Sequence, residues 1–424
     1  MLWSFDLPWL RAEAQRDTAW CRRLLPRVSR TFALSIAMLP PSLRDAIGDA
    51  YLLCRIVDSI EDDPRLSLEA RTRLFDVFDE ALGDDASDEM KLESAARDAN
   101  VGETAAEREL CSHAGAVLRA FRALERAQRD AIRPKVLEMS RGMREYSTRT
   151  HAEGRLRIRD VADLERYCYF VAGTVGGLLT ELFALDTPNI EPETLATLRE
   201  LAVPFGVGLQ LVNIVKDVAE DSKRGVCFLP ESFAAREGIS LDQLLDPKSR
   251  QEAMRVVGRT CELAEEKLRA AQAYTLAWPE RAQPVRLFCA VPLALALASL
   301  EEVKNGGDAL VQDETPKVGR AVVFAIVRDA IAAADSNRDL AALFQRYGES
   351  MQQVAVETKP APKGPVSGRE VEQTLARACE WLLARQSPEG WWKGELQTNV
   401  TMDAEDLLLR QFLGVRTEEQ TTKA

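Results

Sequence analysis

The main pattern along the chain is helical, with apolar positions recurring three and four residues apart. Leu53, Ile56, Val57 and Ile60 have this spacing, which places their side chains on one face of a helix. Similar stripes run through Glu69–Leu82, Glu107–Leu124, Ser249–Leu276 and Val318–Tyr347. Alternating strand-like runs bounded by Asn-Gly or Asp-Gly turns are scarce. We therefore predict an all-α protein of many helices.

A change of composition near the C-terminus predicts a domain boundary. The segment VETKPAPKGPVSG holds three prolines and two glycines among small and basic residues, and repeated proline blocks both helix and strand pairing. We predict a large unit over residues 1–354, a linker over 355–368, and a short helical appendage over 369–424. An appendage of this size is near the lower limit for an independent core.

Charge and composition exclude several classes of function. The 424 residues carry a formal net charge of −12 and no long basic block, which argues against nucleic acid as a partner. The eight cysteines are widely spaced, and we interpret them as reduced thiols in a cytoplasmic protein. With two histidines in the chain, neither a histidine metal site nor a Ser-His-Asp arrangement is expected.

Uncharged stretches are present, but they are short. The longest, Leu201–Val215, has 15 residues, fewer than the ~18 apolar residues expected of a membrane span. The N-terminus meets acidic and basic residues too early for a signal peptide. We therefore expect these stretches to form buried helices.

Asp58, Glu61 and Asp62 form an acidic cluster at the end of an apolar helix. Their spacing puts three carboxylates on one side of the helix, where like charges repel. Pro64 disfavours helix at the residue before it, so the cluster lies near a helix C-terminus, the unfavourable end for anions. For one such motif alone, a solvated acidic helix end is the ordinary interpretation.

The same spacing recurs 159 residues downstream, in Asp217, Glu220 and Asp221. Gln210 and Asn213 lie seven and four positions before Asp217, which predicts a polar stripe along one helix. Two such stripes facing across a bundle would line a site with hard oxygen atoms. These ligands suit Mg²⁺, with Mn²⁺ as an alternative, bridging carboxylates to a diphosphate. The paired motifs therefore indicate cation-assisted removal of diphosphate.

Basic residues accompany both acidic clusters. Arg55 lies three positions before Asp58, and Lys216, Lys223 and Arg224 flank the second cluster. Each one taken singly is typical of a solvated surface charge. Because these residues flank both clusters, a role in phosphate recognition is as well supported as a role as surface charges.

Four segments, in order, resemble the signatures of the squalene/phytoene synthase family. They are SRTFALSIAMLP (Ser29–Pro40), YLLCRIVDSIEDD (Tyr51–Asp63), YCYFVAGTVGGLL (Tyr167–Leu179) and GLQLVNIVKDVAEDSKRGVCFLP (Gly208–Pro230). The chain looks most like the family's bacterial squalene synthases. The resemblance implies an all-α class I isoprenoid synthase bundle with a central cavity. It also implies head-to-head coupling of two prenyl diphosphates through a cyclopropyl diphosphate.

The resemblance also implies roles for individual residues. The cation would be held by Asp58, Glu61, Asp62, Asn213, Asp217, Glu220 and Asp221. The substrate would be contacted by Ser29, Arg30, Thr31, Phe32, Arg55, Gln210, Asn213 and Lys216. Tyr167 would stand near the reacting carbons and assist proton transfer, with Asp58 and Asp217 as further catalytic residues. Without the motif, a core tyrosine with a satisfied hydroxyl is the simpler interpretation of Tyr167.

Some positions depart from the family's pattern. Lys216 and Val226 stand where many relatives carry Arg, and Phe170 replaces a frequent Tyr. These departures affect the expected phosphate contacts and the final step of the reaction. The glycines of the third segment, Gly173, Gly176 and Gly177, would leave room for hydrocarbon, although helix packing also uses small residues.

The C-terminal segment has a resemblance of its own. RACEWLLARQSPEGWW (Arg377–Trp392) resembles the QW repeat of triterpene cyclases, and Gly394–Gly414 looks like the N-terminal helices of squalene-hopene cyclases. The DxDD acid motif of those cyclases is absent, so we expect no cyclisation. A plain amphipathic helix with an aromatic packing turn is the alternative.

These resemblances imply a squalene synthase that couples two farnesyl diphosphates, with Mg²⁺ and NADPH, in triterpene or hopanoid biosynthesis. Because hopene cyclases consume squalene, the C-terminal segment favours squalene over phytoene. Phytoene, dehydrosqualene and hydroxysqualene stay open as products, and a non-catalytic scaffold is the alternative of another class. A squalene cyclase or a membrane surface is the expected recipient of product, so a cytoplasmic protein at the membrane periphery is also considered.

Overall fold

The computed structural model describes residues 8–29, 31–85, 87–153, 155–223, 225–306 and 316–348. Arg30, the linker at 355–368 and the appendage at 369–424 lie outside the described residues. What was predicted for these residues stays a prediction.

The described residues contain seventeen α-helices and no strand, which confirms the all-α prediction. The helices are α1 (Pro8–Val28), α2 (Thr31–Ala37), α3 (Pro41–Asp62), α4 (Leu68–Gly83), α5 (Glu89–Asp98), α6 (Ala105–Cys111), α7 (Ala114–Ala123), α8 (Arg126–Glu153), α9 (Val161–Cys168), α10 (Thr174–Asp186), α11 (Pro192–Lys216), α12 (Val218–Lys223), α13 (Glu231–Arg236), α14 (Arg250–Ala277), α15 (Gln283–Asn305), α16 (Arg320–Ala333) and α17 (Asn337–Gly348).

Helix ends follow local sequence chemistry. Ser67 accepts a hydrogen bond from the Ala70 N–H at 3.2 Å and begins α4, which covers the stripe predicted from Glu69. Two other predicted stripes are each divided into two helices. The first divides at Ser112 and His113, whose side chains bond the backbone carbonyl of Glu109 and compete with helix continuation.

The second divided stripe is Val318–Tyr347. Ser336 accepts a hydrogen bond from the Asp339 N–H at 3.2 Å, which supplies a new helix start and separates α16 from α17. Apolar periodicity alone runs across this turn, because the stripe continues on both sides of it.

The packing places the two acidic motifs on helices that share a neighbour. α11 packs along α14, and α10 lies against α8 and α11. α3 packs on α7 and α8 and also contacts α10. The helix α10 therefore touches both α3, which ends in the first acidic cluster, and α11, which leads into the second.

Small residues let the backbones of α10 and α11 meet closely. A Cβ atom on Gly176 would lie 2.1 Å from the Ala202 carbonyl oxygen, and one on Gly206 would lie 2.2 Å from the Ala172 carbonyl oxygen. A Cβ on Gly173 would meet Tyr169 and Val203 at 3.0 and 3.1 Å. These glycines serve helix packing, so the prediction that they leave room for hydrocarbon was wrong for Gly173 and Gly176.

A single turn of π-helix, Tyr169–Gly173, joins α9 to α10. Inside it, the Phe170 ring fills the place that a side chain on Gly142 of α8 would occupy, since a Cβ there would lie 2.0 Å from the ring. Single π-turns are frequent beside functional sites because they shift side-chain direction within a helix. This one immediately follows Tyr167.

Three helical stretches are long and apolar enough to cross a membrane, judged by length and composition only. They are Val161–Asp186, Pro192–Lys216 and Gln283–Asn305. The uncharged stretch Leu201–Val215 lies inside the second of these helices, which reaches spanning length because windows with one or two charged residues also qualify. Within the protein they are packing helices, and 72% of the most apolar window of the third is buried.

Candidate active site

The first acidic cluster occupies the last turn of α3. The helix ends at Asp62, as the position of Pro64 predicts. The apolar residues of the same turns, Ile56, Val57 and Ile60, are completely buried and fix this face of α3 in the core. The carboxylates therefore lie at the negative end of the helix dipole, where the backbone gives them no compensation.

The electrostatics of this turn are unfavourable for charged carboxylates. Burial is the largest cause of the raised pKa of Asp58, Arg55 lowers the pKa and the neighbouring Asp62 raises it, and together these bring it to about 7. Burial and the charges of Asp62 and Asp58 also raise the pKa of Glu61 well above its usual value. The cluster thus holds more negative charge than its surroundings neutralise.

Arg55 is the positive partner of this cluster. One of its Nη atoms lies 3.6 Å from the Asp58 carboxylate, and the other donates a hydrogen bond to Glu107. Glu107 is held by the capping box at the start of α6, where it accepts the Thr104 N–H at 2.9 Å. The Nε atom of Arg55 is buried without a hydrogen-bond partner.

Asp63 belongs to the same acidic run but has a different role. It is fully buried and accepts hydrogen bonds from Arg65 Nη2 at 2.6 Å, Arg65 Nε at 2.9 Å and the Gly102 N–H at 3.0 Å. The Arg65 guanidinium lowers the pKa of Asp63 to about 2. Arg71 closes the end of α3 by donating to the carbonyls of Ile60 and Asp63 at 3.1 and 2.8 Å. Asp63 is therefore a structural carboxylate.

The second acidic cluster does not lie on one continuous helix. α11 ends at Lys216, Asp217 adopts a non-helical conformation, and α12 begins at Val218. The prediction of an uninterrupted polar stripe was wrong at this point. Hydrogen bonds from the Asp217 N–H to Asn213 and from the Asp221 N–H to Asp217 nevertheless bridge the interruption, at 2.9 and 2.8 Å.

Two lysines, Lys216 and Lys317, act on the carboxylate of Asp217. Lys216 Nζ lies 3.2 Å from its carboxylate and 3.4 Å from the Asn213 side-chain oxygen. Burial raises the pKa of Asp217, and Glu220 raises it further, while Lys216 and the more distant Lys317 lower it. This carboxylate is thus better compensated than Asp58.

Tyr167 connects the first motif to the segment that follows the second. Burial raises its pKa, and so do the charges of Glu61, Asp62 and Asp58, which places the phenol close to the first cluster. Its ring stacks on Phe228 at 4.9 Å between centroids. The ring also meets Tyr146 edge-on at 5.1 Å.

Sequence reasoning missed the supports of Tyr167. Tyr146 donates a hydrogen bond to the Asp163 carboxylate at 2.8 Å, and the Arg149 guanidinium lies 4.4 Å from its ring centre. Tyr146 is therefore fixed in place and helps to orient Tyr167. In the sequence, Tyr146 is a single aromatic residue in a mostly polar helix, and nothing in that pattern indicates contact with Tyr167.

The segment that begins the first family motif packs on the same face of α3. Ser29 is buried beside Tyr51, and the Phe32 ring lies 6.0 Å from that of Tyr51. Because Tyr51 is one turn before Arg55, this segment lies near the guanidinium. Thr31 begins α2, and the half-buried Gln210 lies on α11 one turn before Asn213.

The donor chemistry fits Mg²⁺ as the partner of a diphosphate. Among the described residues, no group of three or more His, Cys, Asp or Glu side chains is placed to hold a metal by itself. The two acidic motifs therefore do not form one preassembled ligand set. Protein Mg²⁺ sites commonly use one or two carboxylates together with substrate phosphates, and under-neutralised carboxylates of this kind meet that need.

Comparison with known proteins assigns the large unit. The squalene/phytoene synthase family model matches residues 25–323. The chain belongs to this family. A second match, to the squalene-hopene cyclase N-terminal domain, covers residues 375–424. Both agree with the resemblances carried by the sequence motifs.

Curated relatives of this squalene/phytoene synthase family member include squalene synthases of fungi. That of Schizosaccharomyces pombe (strain 972 / ATCC 24843) is 26% identical over 345 residues, covering 81% of this chain and 70% of the relative. Squalene synthase R6 of Phoma sp. (strain ATCC 20986 / MF5453) is 28% identical over 351 residues, covering 82% of this chain and 78% of the relative.

Solved structures agree with the fold. TcSQS in complex with a ligand matches with a TM-score of 0.67 at 25% identity, over 87% of this chain and 99% of that one. A dehydrosqualene synthase in complex with a ligand matches with a TM-score of 0.55 at 20% identity, over 76% of this chain and 98% of that one. The second likeness concerns the fold alone.

Proposed function

We propose that this family member condenses two molecules of farnesyl diphosphate head to head, through a cyclopropyl diphosphate, and reduces the product to squalene. The reaction would use Mg²⁺ and NADPH and would serve triterpene or hopanoid biosynthesis. The relatives named squalene synthase support the reaction class, and the match to a squalene-hopene cyclase domain in the same chain supports squalene as the product.

One observation carries the proposal: in the last turn of α3, Asp58 and Glu61 are partly exposed carboxylates with raised pKa values and too little neutralising charge around them. Like charges at this spacing destabilise a helix end, so a purely structural role would favour their loss. A cation bound together with a diphosphate would supply the missing positive charge. The same group would stabilise the charge that develops on the leaving diphosphate.

Mg²⁺ would be held by Asp58, Glu61 and Asp62 on one side of the substrate. On the other side the donors would be Asn213, Asp217, Glu220 and Asp221. Bound there, the cation would withdraw charge from the leaving diphosphate and orient it. No residue of the described chain is assigned to NADPH.

The protein's own residues would do the remaining work. Arg55, held by Glu107, would contact the diphosphate, with Lys216 as a second positive contact. Ser29, Arg30, Thr31 and Phe32 would complete this contact surface. Tyr167, fixed between Phe228 and Tyr146, would hold or move a proton at its hydroxyl beside the reacting carbons.

The deciding experiment is mass spectrometry of hydrocarbons extracted after incubation with farnesyl diphosphate and Mg²⁺, with and without NADPH. The proposal predicts squalene that depends on NADPH, together with release of diphosphate. Dehydrosqualene or hydroxysqualene in both conditions would retain the condensation and reject the reduction. Turnover of a C20 diphosphate with inertness toward farnesyl diphosphate would make the protein a phytoene synthase.

Absence of diphosphate release from either substrate would favour a non-catalytic scaffold.

Two further assignments accompany the proposal. The domain boundaries at 354 and 368 would separate a synthase from a cyclase-like appendage. The protein would be cytoplasmic and would deliver product to a squalene cyclase or to a membrane surface.

A further inference from the structure

Helix α16 has the sequence RAVVFAIVRDAIAA and buries only one of its faces. Ile326, Ala330 and Ala333 are buried, at the spacing of a single helical stripe. The helix lies against α15 and α17. Most of the remaining positions of the helix are apolar too, which is unusual for a surface helix of a globular protein.

Two large apolar side chains project from the opposite face of α16. Phe324 is 71% exposed and Ile331 is 57% exposed, and the two are seven residues apart on one side of the helix. Val323 and Val327 lie beside them and are half-buried. A lone exposed apolar residue needs no explanation, but a continuous strip of this kind indicates a contact surface.

Arginines flank this apolar strip. Arg320 and Arg328 lie four residues before and four residues after Phe324, and both are exposed. The one acidic residue of α16 is Asp329, which points toward α17 and pairs with Arg346 at 2.7 Å as well as with Arg328 at 2.8 Å. The exposed face of α16 is therefore basic, on a chain whose net charge is −12.

We propose that the exposed face of α16 docks on the surface of an anionic lipid bilayer. A helix with an apolar strip and flanking arginines lies in the membrane interface with its apolar side in the acyl boundary. The charge complements acidic headgroups, which attract arginines near the surface. A second copy of the chain, docked face to face through a two-fold axis, would bring arginines against arginines.

The position of α16 gives this docking a consequence that rests on the proposed function. Lys317, three residues before the helix begins, lies close enough to Asp217 to act on its carboxylate. The start of the lipid-facing helix is therefore within electrostatic range of the second acidic motif. A C30 hydrocarbon that leaves the site near this point would enter the bilayer without crossing water.

The test is co-sedimentation of the full chain with phosphatidylcholine vesicles, with and without phosphatidylglycerol, in the absence of substrate. Wild type is expected to pellet with the anionic vesicles and to lose binding as salt increases. The double variant Phe324→Ser/Ile331→Ser should bind at least about tenfold more weakly. Arg320→Gln/Arg328→Gln should lose about 25-fold on anionic vesicles, about fivefold for each arginine.

The matched control removes exposed apolar side chains of similar exposure elsewhere. Met90 and Leu185 are 50% and 53% exposed, on α5 and α10, and Met90→Ser/Leu185→Ser should bind vesicles like wild type. Far-UV circular dichroism and thermal unfolding of each variant identify any that fail to fold. If the double variant Phe324→Ser/Ile331→Ser fails to fold, the single variant Phe324→Gln is tested in its place.

Four results would overturn the docking proposal. The first is equally little pelleting of wild type with both kinds of vesicle, and the second is binding of the Phe324→Ser/Ile331→Ser variant at the wild-type level. A light-scattering mass that falls from dimer to monomer in that variant, without vesicle binding, would instead assign the face to a second copy. Faster proteolysis of residues 349–424 in the variant, again without vesicle binding, would assign it to the chain's own C-terminal segment. Soluble turnover of farnesyl diphosphate, measured separately, reports on the proposed function alone.

Discussion

The last turn of α3 and the loop that follows it carry carboxylates in opposite electrostatic states. Burial raises the pKa of Asp58 to about 7, whereas the Arg65 guanidinium lowers that of the completely buried Asp63 to about 2. The two residues are five positions apart in one acidic run. Burial alone therefore does not decide the charge state, because the donors around each carboxylate do.

The difference separates a structural acid from the candidate functional acids. Asp63 is satisfied by Arg65 and Gly102 and holds the loop after α3 in place. Asp58 and Glu61 remain under-neutralised at the unfavourable end of a helix. Charged residues that reduce stability are candidates for function, since the fold gains nothing from them.

The largest expected effect is the loss of turnover when Asp58, on the functional side of this comparison, is substituted. Asp58→Asn should lower squalene formation by about a hundredfold or more, because the cation that would stabilise the leaving diphosphate loses a ligand. The same change relieves repulsion from Asp62, so the melting temperature should stay the same or rise. Product formation and thermal unfolding are measured on one preparation. Early melting with unchanged activity per folded molecule would make Asp58 structural.

Tyr167 extends the functional side to a second residue. Tyr167→Phe should reduce turnover by about a hundredfold if its hydroxyl moves a proton during catalysis. The matched control is Tyr146→Phe, which loses the hydrogen bond to Asp163 and should cost about 1 kcal/mol of stability with a smaller effect on turnover. Equal turnover of Tyr167→Phe and wild type would return Tyr167 to the role of a core tyrosine.

Asp63→Asn tests the structural side. The variant should lose about 2 kcal/mol of unfolding free energy at neutral pH, with activity per folded molecule retained. Because the folded pKa of Asp63 is lowered, its contribution is complete above the unfolded value of 3.8 and is lost as the pH falls toward about 2. Urea unfolding of wild type and variant should therefore give a constant difference near neutral pH and a shrinking one below about pH 4. A difference that grows in acid would contradict this role.

Asp49 offers the smallest and most selective test, at the other end of α3. It is buried, its Oδ2 atom has no hydrogen-bond partner, and burial raises its pKa well above the usual value. A raised folded pKa means that stability is greatest in acid and declines as the pH rises. Asp49→Asn should thus gain about 1 kcal/mol near neutral pH, with the gain vanishing in acid, and leave turnover unchanged. A loss of stability at neutral pH would show that the ionised group is needed.

Much of this account could be predicted from the sequence. The helical periodicity gave the all-α class, and Pro64 correctly placed the first acidic cluster at the end of a helix. The paired spacing of the acidic motifs gave the candidate metal ligands, and the family resemblance gave Tyr167 and the residues of the first motif. These features depend on short-range rules of helix geometry, which the sequence carries directly.

The remainder depends on contacts between distant segments. The interruption at Asp217, the packing role of Gly176 and the support of Tyr167 by Tyr146 arise where helices meet. The separate role of Asp63 needed Gly102 and Arg65, one of them 39 residues away. The acidic residues are Asp58, Glu61, Asp62 and Asp63. Without the fold they could not be divided into three candidate functional residues and one structural residue.

The most direct test of the central claim is thermal unfolding of wild type, Asp58→Asn and Asp63→Asn with Mg²⁺ and inorganic diphosphate, which requires no turnover. The account predicts that this addition raises the melting temperature of wild type and of Asp63→Asn by similar amounts. It also predicts little or no rise for Asp58→Asn. An equal rise in all three proteins would contradict the claim that the last turn of α3 holds the cation and its diphosphate.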